Sequence, residues 1–210
     1  TAVYEAGAIA PLVHLLGHGT ALAKRWAAAA LCAIAELRER VSVRHLVVDG
    51  TSDARVMVAH ANALEPLIIL LRYGGLRGQE QAAAALAVLW SADVEVVPSV
   101  SVEVVLPALV SLLQRGSAAA KGAAATVVRC LAARADWAAH DAARPIEPLV
   151  ALLDDGTPTL VSFDGEPSTI GEEALSALHA LGSVAAIWAL DRLDAEAARV
   201  FLSKIGEKDR

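Results

Sequence analysis

The chain contains six histidines, a residue type that can bind a metal or transfer a proton near neutral pH. His14 and His18 are four residues apart, the spacing that places two side chains on one face of a helix. A zinc site uses about four ligands, and no cluster of cysteines or carboxylates accompanies this pair. A chance pairing therefore explains it better than a metal site. The other histidines, also outside any HExxH motif, are His45, His60, His140 and His179.

Two further groups have side chains of the kinds that acid–base or nucleophilic catalysis uses. His140 and Asp141 follow Asp136 and could exchange protons with a substrate. They lie in a polar segment, where solvated charges are the simpler interpretation. Cys130 would act as a nucleophile only if its neighbours lowered the pKa of its thiol. Two nearby arginines are the only charges available for that, so a structural cysteine is the better reading.

The sequence has no motif for phosphate or nucleic-acid binding. The glycine-rich run at 74–78, GGLRG, is not GxxxxGK[ST] and follows a helical pattern instead of a strand. Lys24 and Arg25 belong to no basic run interleaved with aromatic residues. The 24 acidic and 18 basic residues give a net charge of −6, which also disfavours nucleic acid. We expect no cofactor, no metal, no small-molecule substrate and no nucleic-acid partner.

The composition predicts a helical protein. Hydrophobic residues make up 56% of the 210 residues and aromatic residues only 4%, so alanine, leucine and valine must supply the buried surface. Alanine and leucine are strong helix formers. Residues 1–145 carry 13 basic and 12 acidic side chains, whereas residues 146–210 carry 5 and 12. The acidic end would favour a basic partner, although an acidic surface kept for solubility is the commoner explanation.

Cysteine usage and hydropathy indicate a cytoplasmic, reducing location. Cys32 and Cys130 fall inside predicted helices far apart in the chain, which favours buried thiols over a disulfide. The first ten residues show no signal-peptide pattern. The longest uncharged stretch, Ala174–Leu190, is slightly short for a membrane span and contains Gly182. We interpret it as a buried helix with a turn, without membrane insertion.

One helical unit recurs four times, and any functional side chain must be positioned by it. With Ile9, Leu64, Leu106 and Ile146 as position zero, apolar residues fall at +3, +4 and +7 in every copy. That spacing is one face of an α-helix. Glycine follows at +10, and an aliphatic residue at +22 marks a second helix in three copies. The apolar residues are Leu12, Val13 and Leu16; Leu67, Ile68 and Leu71; Leu109, Val110 and Leu113; and Leu149, Val150 and Leu153, and the +22 residues are Leu31, Leu86 and Val128, with Leu178 at +32 in the fourth copy.

Turn residues frame the first helix of each unit. The glycine at +10 suits a left-handed residue that ends a helix. These glycines are Gly19, Gly74, Gly116 and Gly156. Gly7 and Asn62, two residues before zero, also tolerate positive φ. Val104 and Arg144 stand there in the other copies, so that turn must differ in them.

The copies are offset by 55, 42 and 40 residues, a period typical of armadillo or HEAT arrays. We expect one repeat domain over 1–210, with repeats at about 1–39, 54–92, 98–135 and 136–182 and capping helices over 183–210. Excess length maps to insertions at 40–53 and 157–167, both rich in turn formers. The β-branched run at 93–105, interrupted by Pro98, predicts a weak or distorted first helix or a short extended segment.

The units resemble the armadillo repeat, with HEAT repeats as second choice. The resemblance covers roughly residues 5–182 and is carried by a turn glycine, an Ile/Leu-Pro-Leu helix start, paired leucines, a glycine turn and an alanine-rich run. Glu65-Pro66-Leu67 with Gln81–Leu86 matches best. The family implies an all-α fold, a right-handed α-solenoid whose last helices line a concave, protein-binding surface.

Peptide-gripping members of the family carry tryptophan and asparagine four residues apart on that last helix. The matching positions hold no such pair, and the only asparagine of the chain is Asn62. Small apolar residues would leave the N–H and C=O groups of an extended peptide unpaired, so a helix or a packed subunit is the better partner. These positions could also pack against the chain's own loops or termini. They are Ala29 and Ala33, Ala84 and Val88, Thr126 and Cys130, and Ser176 and Ala180.

The sequence thus predicts a non-catalytic scaffold, or a structural subunit of a larger assembly, that binds a protein partner. Trp26 is a candidate interface anchor or an inter-repeat packing residue; Trp90, Trp137 and Trp188 are candidate core residues. One alternative is the substrate-binding arm of a ubiquitin ligase of the U-box type, and a remote one is an all-helical enzyme. The candidate binding residues are Arg25, Trp26, Ala33, Glu36, Gln81, Val88, Cys130, Arg134 and Ala180.

Overall fold

The structure, a computed structural model, describes six ranges of the chain and is helical in most of them. The ranges are 7–36, 58–59, 61–91, 102–133, 144–158 and 168–192, without the side chains of 91 and 182–192. The chain divides into two compact units, residues 1–100 and 101–210, and each is described by itself. In the described ranges, no helix is both long and apolar enough to cross a bilayer.

Unit 1 contains two stacked helical hairpins. The first is α1 (Ile9–His18) and α2 (Ala21–Glu36), and the second is α3 (Leu64–Tyr73) and α4 (Leu76–Ser91). The helices of each hairpin pack on each other, and the hairpins meet mainly through α2 and α4. Buried alanines dominate that side of both helices, which lets their backbones approach closely. The leucines of α1 and α3 then fill the space beside them.

The described part of unit 2 runs from a third hairpin to a longer helix. The third hairpin is α5 (Val102–Arg115) with α6 (Ala118–Ala132), followed by the short α7 (Ile146–Val150) and then α8 (Ile170–Arg192). α8 packs on α6 and α7, and α7 also touches α5. The alanine-rich α6 is buried at nearly every position from Ala120 to Leu131. It is therefore the central helix of this unit.

In the first three copies the glycine at +10 is required because a Cβ would clash with neighbouring atoms, not because the backbone is left-handed. Gly19 has φ −73° and ψ 173°, and Gly74 has φ −69° and ψ 156°, so both are extended, and the left-handed prediction is wrong. A Cβ on Gly19 would lie 2.5 Å from the carbonyl oxygen of Leu15 and 2.9 Å from the Cβ of Ala23. The turn therefore brings the second helix too close for any side chain.

Positive φ occurs at the other predicted turn. Gly7 has φ 66° and Asn62 has φ 60°, as expected from residues that tolerate this conformation, and they are the only such residues in the described ranges. Val104 lies inside α5 instead, because that helix begins four residues before position zero. The run of valines at 102–105 is thus regular helix, and the rest of the β-branched stretch falls outside the described residues.

The fourth copy departs most from the pattern. Its apolar face is buried as predicted, but α7 ends at Val150 and the backbone continues in turns with i→i+3 hydrogen bonds. Gly156 is exposed, and a Cβ there would meet nothing within 4 Å. α8 then continues through Gly182 to Arg192, so the turn predicted there is absent. Insertion 40–53 and residues 193–210 lie outside the described ranges.

Insertion 157–167 is anchored at its base, whereas its residues 159–167 are not described. Pro158 and Thr169 form an antiparallel bridge, and the N–H of Ile170 donates to the carbonyl of Thr157 at 2.9 Å. The hydroxyl of Thr157 and, to a smaller extent, its backbone N–H donate hydrogen bonds to the Asp155 carboxylate. These bonds hold the pKa of that carboxyl below its usual range. Both ends of the insertion are thereby fixed to the start of α8.

Candidate protein interface

An exposed stripe runs along α2 in unit 1. It consists of Leu22, Trp26, Ala29, Ala33 and Glu36, whose spacing of four, three, four and three residues places them on one face of the helix. Leu22 and Trp26 are each 59% exposed, Ala33 and Glu36 are exposed, and Ala29 is half-buried. We call these five residues the α2 stripe.

The opposite side of α2 explains why the stripe stays open. Ala27, Ala28, Leu31 and Ala35 are buried there, where α2 packs on its neighbours α1 and α4. The helix is therefore held firmly by one face while the other presents two large apolar side chains and two small ones. Apolar side chains that gain burial only on contact with another molecule favour association.

Charges flank the α2 stripe at its two ends. The guanidinium carbon of Arg25 lies 4.6 Å from the ring centroid of Trp26, a cation–π contact that holds the indole in place. Lys24 is a second cation in the same turn, on the side of the helix opposite Trp26, and Glu36 lies at the other end of the stripe. This order opposes the helix dipole, which favours anions at the N-terminus and cations at the C-terminus. α2 has no acidic residue in its first turn and no basic residue in its last.

Cys32 and Glu36 form a local pair one turn apart. The thiol donates to Glu36 Oε1 at 3.4 Å. Burial raises the pKa of the Cys32 thiol, and the carboxylate of Glu36 raises it further. Cys32 and Cys130 are both buried thiols outside any disulfide, as predicted. Because only the thiolate is strongly nucleophilic, Cys32 is chemically inert and serves as packing.

The equivalent positions of α4 and α6 are progressively covered. On α4, Gln81 and Ala84 are half-buried and Val88 is buried. On α6, the equivalents of Trp26, Ala29 and Ala33 are Ala123, Thr126 and Cys130, and all three are buried. We call these three residues the α6 stripe. The same register thus gives an open surface on α2 and an internal contact on α6.

A buried carboxylate occupies the space beside the α6 stripe. Thr126 Oγ1 donates to Glu173 Oε2 of α8 at 3.0 Å, and its hydroxyl also lies 3.1 Å from the carbonyl oxygen of Gly122. Ser168 Oγ donates to Glu173 Oε1 at 3.0 Å, and Arg129 Nε is 3.8 Å from Glu173 Oε2. A carboxylate this deeply buried is stable only with such partners. Glu173 therefore ties α6 to α8.

Comparison with known proteins identifies the fold. No model of a known protein family matches the sequence, and no curated protein matches it. Solved structures do match. A designed armadillo repeat protein in complex with the peptide (KR)4 is 23% identical, with 96% of this chain and 83% of that chain covered and a TM-score of 0.56. Computationally designed armadillo repeat proteins for modular peptide recognition give 23% identity, 97% and 83% coverage and a TM-score of 0.57.

A third similar structure, an engineered protein, is 25% identical, with 93% of this chain and 68% of that chain covered and a TM-score of 0.52. The chain has an armadillo-repeat fold. The resemblance and the all-α fold class inferred from the sequence are thereby confirmed. The repeat boundaries and the terminal capping helices stay predictions.

Within the armadillo fold, four predicted binding residues come together on α2. Arg25, Trp26, Ala33 and Glu36 share one helix, and Trp26, Ala33 and Glu36 are exposed on one face of it. Gln81 is half-buried on α4, against which α2 packs. These residues form a coherent candidate surface in unit 1.

The remaining predicted binding residues do not join that surface. Val88 and Cys130 are buried, so their side chains offer nothing to an external partner in this arrangement. Ala180 is half-buried on α8, which belongs to unit 2. Arg134 lies outside the described residues. Trp90 is a core residue as predicted, at 2% exposed.

Sequence reasoning missed two contributors. Leu22 stands one turn before Trp26 on the same face, and this i, i+4 apolar pair at an exposed helix start was its available signal. Glu173 was missed because the sequence does not show which of the adjacent Glu172 and Glu173 is buried or what it bonds to. Thr126, a lone hydroxyl in an alanine-rich helix, was the corresponding hint on α6.

Two other surface groups in the described ranges make ring contacts. The rings of His14 and His18 lie with their centroids 4.8 Å apart on an exposed face of α1. In the part of the chain that the structure describes, no three His, Cys, Asp or Glu residues gather in a way that could hold a metal ion. Tyr73, 72% exposed on α3, has the Arg72 guanidinium carbon 4.8 Å from its ring centroid. It resembles Trp26 chemically but lies on a first helix, away from the α2 stripe.

Proposed function

We propose that this protein is a repeat scaffold that binds another protein through the α2 stripe. The observation that carries the proposal is the exposure of Leu22 and Trp26 on a helix whose other face is fixed in the core. Tryptophan and arginine are favoured among the residues that dominate binding energy. Arg25 and Trp26 supply both in one rigid contact.

The partner segment that we propose for this surface is a helix. The α2 stripe repeats every three to four residues, and the small Ala29 and Ala33 allow a second helix to come close. The stripe also has few donors and acceptors for the backbone of an extended chain, which would lose hydrogen bonds to water on burial. A helix satisfies its own backbone and brings only side chains.

An extended peptide is the second candidate, and it is favoured by the comparisons. Two of the similar structures are armadillo repeat proteins designed for peptide recognition or solved with the peptide (KR)4. That peptide is strongly basic, whereas the start of the α2 stripe here carries Lys24 and Arg25. A peptide for this surface would therefore need acidic residues at that end.

Site-specific photo-crosslinking tests the proposal. A photoreactive amino acid is placed at Ala33, and a matched control is placed at the exposed Gln114 on α5. In cells of the source organism, we expect protein adducts from position 33 and none above background from position 114. Adducts of equal yield and identity at both positions would contradict the proposal.

The identified partner is then purified and its affinity measured by calorimetry. Trp26→Ala should weaken binding at least about tenfold, a loss of about 1.4 kcal/mol, whereas Tyr73→Ala should change it by less than about twofold. An unchanged affinity for Trp26→Ala would overturn the proposed site. Proline substitutions in the middle of the partner segment should abolish binding of a helix but leave an extended peptide bound.

A further inference from the structure

α2 carries opposite charges near its two ends, and its exposed face has large side chains in one half and small side chains in the other. Large side chains, Leu22 and Trp26, occupy its first half, and small ones, Ala29 and Ala33, occupy its second half. Cations stand at the start of the helix and an anion at its end. A surface with this layout matches a copy of itself turned end over end.

We propose that α2 pairs in antiparallel orientation with α2 of a second copy of this chain. This inference rests on the proposed function, because it uses the same stripe and names the partner. In one register, Leu22 lies over Ala33 of the second copy while Trp26 lies over Ala29 of the second copy. The dyad repeats both contacts, so each copy contributes two large side chains and receives two.

Packing supports this register. Two helices approach to about 8 Å between their axes only where the facing side chains are small, and Ala29 and Ala33 provide that space. Leu22 and Trp26 then fill it, removing from water the two exposed large apolar side chains of α2. A parallel arrangement would instead bring Trp26 against itself and leave the alanines facing each other across a gap.

Charge supports the antiparallel direction. In α2 alone, Lys24 and Arg25 stand near the positive end of the helix dipole, and Glu36 stands at the negative end. The antiparallel pair brings Glu36 of the second copy to the N-terminal end of α2, where the helix dipole is positive, on the flank of the stripe that carries Arg25. The unfavourable placement within each helix becomes a favourable one between the helices.

The surface is available for this contact. The buried residues Ala28, Leu31 and Ala35 hold the helix by its other faces, so the stripe needs no rearrangement to pair. Arg25 stacks on Trp26 and restricts its ring, which reduces the entropy lost on association. The contact is small, and it should be correspondingly weak.

Sedimentation equilibrium of the whole chain is the first test. A monomer–dimer equilibrium is expected, with a Kd on the order of 10–100 µM, the range for interfaces at the small end of the specific class. Trp26→Ala should raise that Kd at least about tenfold, and the matched Tyr73→Ala should leave it within about twofold. Both side chains are exposed, so both variants should keep the wild-type circular dichroism. A chain that stays monomeric at about 1 mM, or a dimer unaffected by Trp26→Ala, would overturn the inference.

Cysteine cross-linking tests the direction and the register. Leu22 and Ala33 are eleven residues apart in one helix, about 16 Å, which is too far for a disulfide within a copy. In the proposed pair they face each other between copies. Mild oxidation should therefore dimerise the variant carrying both Leu22→Cys and Ala33→Cys, and an equimolar mixture of the two single variants, but neither single variant alone.

Peptide mapping by mass spectrometry locates the bond and separates it from the buried Cys32 and Cys130. A single variant that dimerises alone would indicate parallel pairing, and a double variant that stays monomeric would remove this register; either result overturns the inference. Photo-adducts from position 33 that contain only a different protein, together with a monomeric chain, would refute self-pairing while leaving the proposed function intact.

Discussion

The second helices of the first and third hairpins, α2 and α6, share one sequence register but meet different surroundings. On α2 the stripe positions are open, and a tryptophan and a leucine project from them. On α6 the equivalent Ala123, Thr126 and Cys130 are buried, and Thr126 bonds to Glu173 of α8. The repeat pattern therefore determines where a side chain points. What packs over that position decides whether it stays exposed or stabilises the fold.

The same contrast extends to the apolar surface. In the described ranges, every large apolar side chain that is strongly exposed belongs to unit 1, and unit 2 has none. In unit 2 the apolar faces of α5, α7 and the part of α8 up to Leu178 are buried, and the Glu173 carboxylate at the centre is paired with Thr126 and Ser168. Among the described side chains, the exposed apolar surface therefore lies in unit 1. The exposed residues are Leu15, Leu22, Trp26, Ile69, Tyr73 and Leu76.

Removing the buried carboxylate of Glu173, which pairs with the α6 stripe, should cause the largest loss of stability. Glu173→Ala leaves the hydroxyls of Thr126 and Ser168 without this acceptor and removes the charge opposite Arg129, so we expect the free energy of unfolding to fall by about 4 kcal/mol. Urea denaturation followed by circular dichroism measures this loss. The matched control is Glu172→Ala. Glu172 is exposed and only caps α8 through the N–H of Thr169 at 2.8 Å, so its loss should cost about 1 kcal/mol. Equal losses in the two variants would contradict the role assigned to Glu173.

A bulky residue at the same repeat position should destabilise the protein through the α6 stripe but not through the α2 stripe. Cys130→Trp inserts a large ring into the buried α6 stripe, and overpacking there should lower the free energy of unfolding by about 3 kcal/mol. Ala33→Trp places the same ring at the equivalent, exposed position of α2, where we expect a change within about 0.5 kcal/mol. Thermal and urea melts of both variants give the comparison. Similar costs at the two positions would show that α2 is covered like α6.

Alanine substitutions at the turn glycines should change stability by smaller amounts, and the change should depend on the space around each glycine. A Cβ on Gly116 would lie 2.5 Å from the carbonyl oxygen of Leu112 and 3.0 Å from the Cβ of Ala120, so Gly116→Ala should cost about 2 kcal/mol. Gly156, at the same register position of the fourth copy, has open space around it. Gly156→Ala should be neutral or stabilise by up to about 1 kcal/mol. Denaturant midpoints decide between the two, and a neutral Gly116→Ala would contradict the close approach of α5 and α6.

The helical hairpins were predictable because their signals are local. Apolar residues at +3, +4 and +7 identify one face of a helix, and the structure buries that face in all four copies except for half-buried positions such as Leu12 and Val13 of α1. Positive φ at Gly7 and Asn62 was also predictable, since few residues adopt it. The conformation of Gly19 was not, because the close approach of Ala23 depends on the packing of two helices.

The candidate surface was only partly predictable for the same reason. The register correctly placed Trp26 and Ala33 on an outward face, yet it placed Cys130 on the equivalent face of α6. Exposure depends on the next helix in space, and α8 reaches α6 through Glu173, a contact between positions 47 residues apart in the sequence. No periodic pattern encodes a partner at that distance.

The base of the second insertion has a practical consequence. Pro158 and Thr169 are bridged, and the N–H groups of Ile170 and Gly171 donate to the carbonyls of Thr157 and Asp155. The two strands entering and leaving the insertion are thus about 5 Å apart whatever lies between them. Foreign sequence spliced in place of residues 159–167 would inherit closed, rigid ends and would not pull on α8. The protein therefore carries a ready-made display position for an epitope, an affinity tag or a second recognition loop.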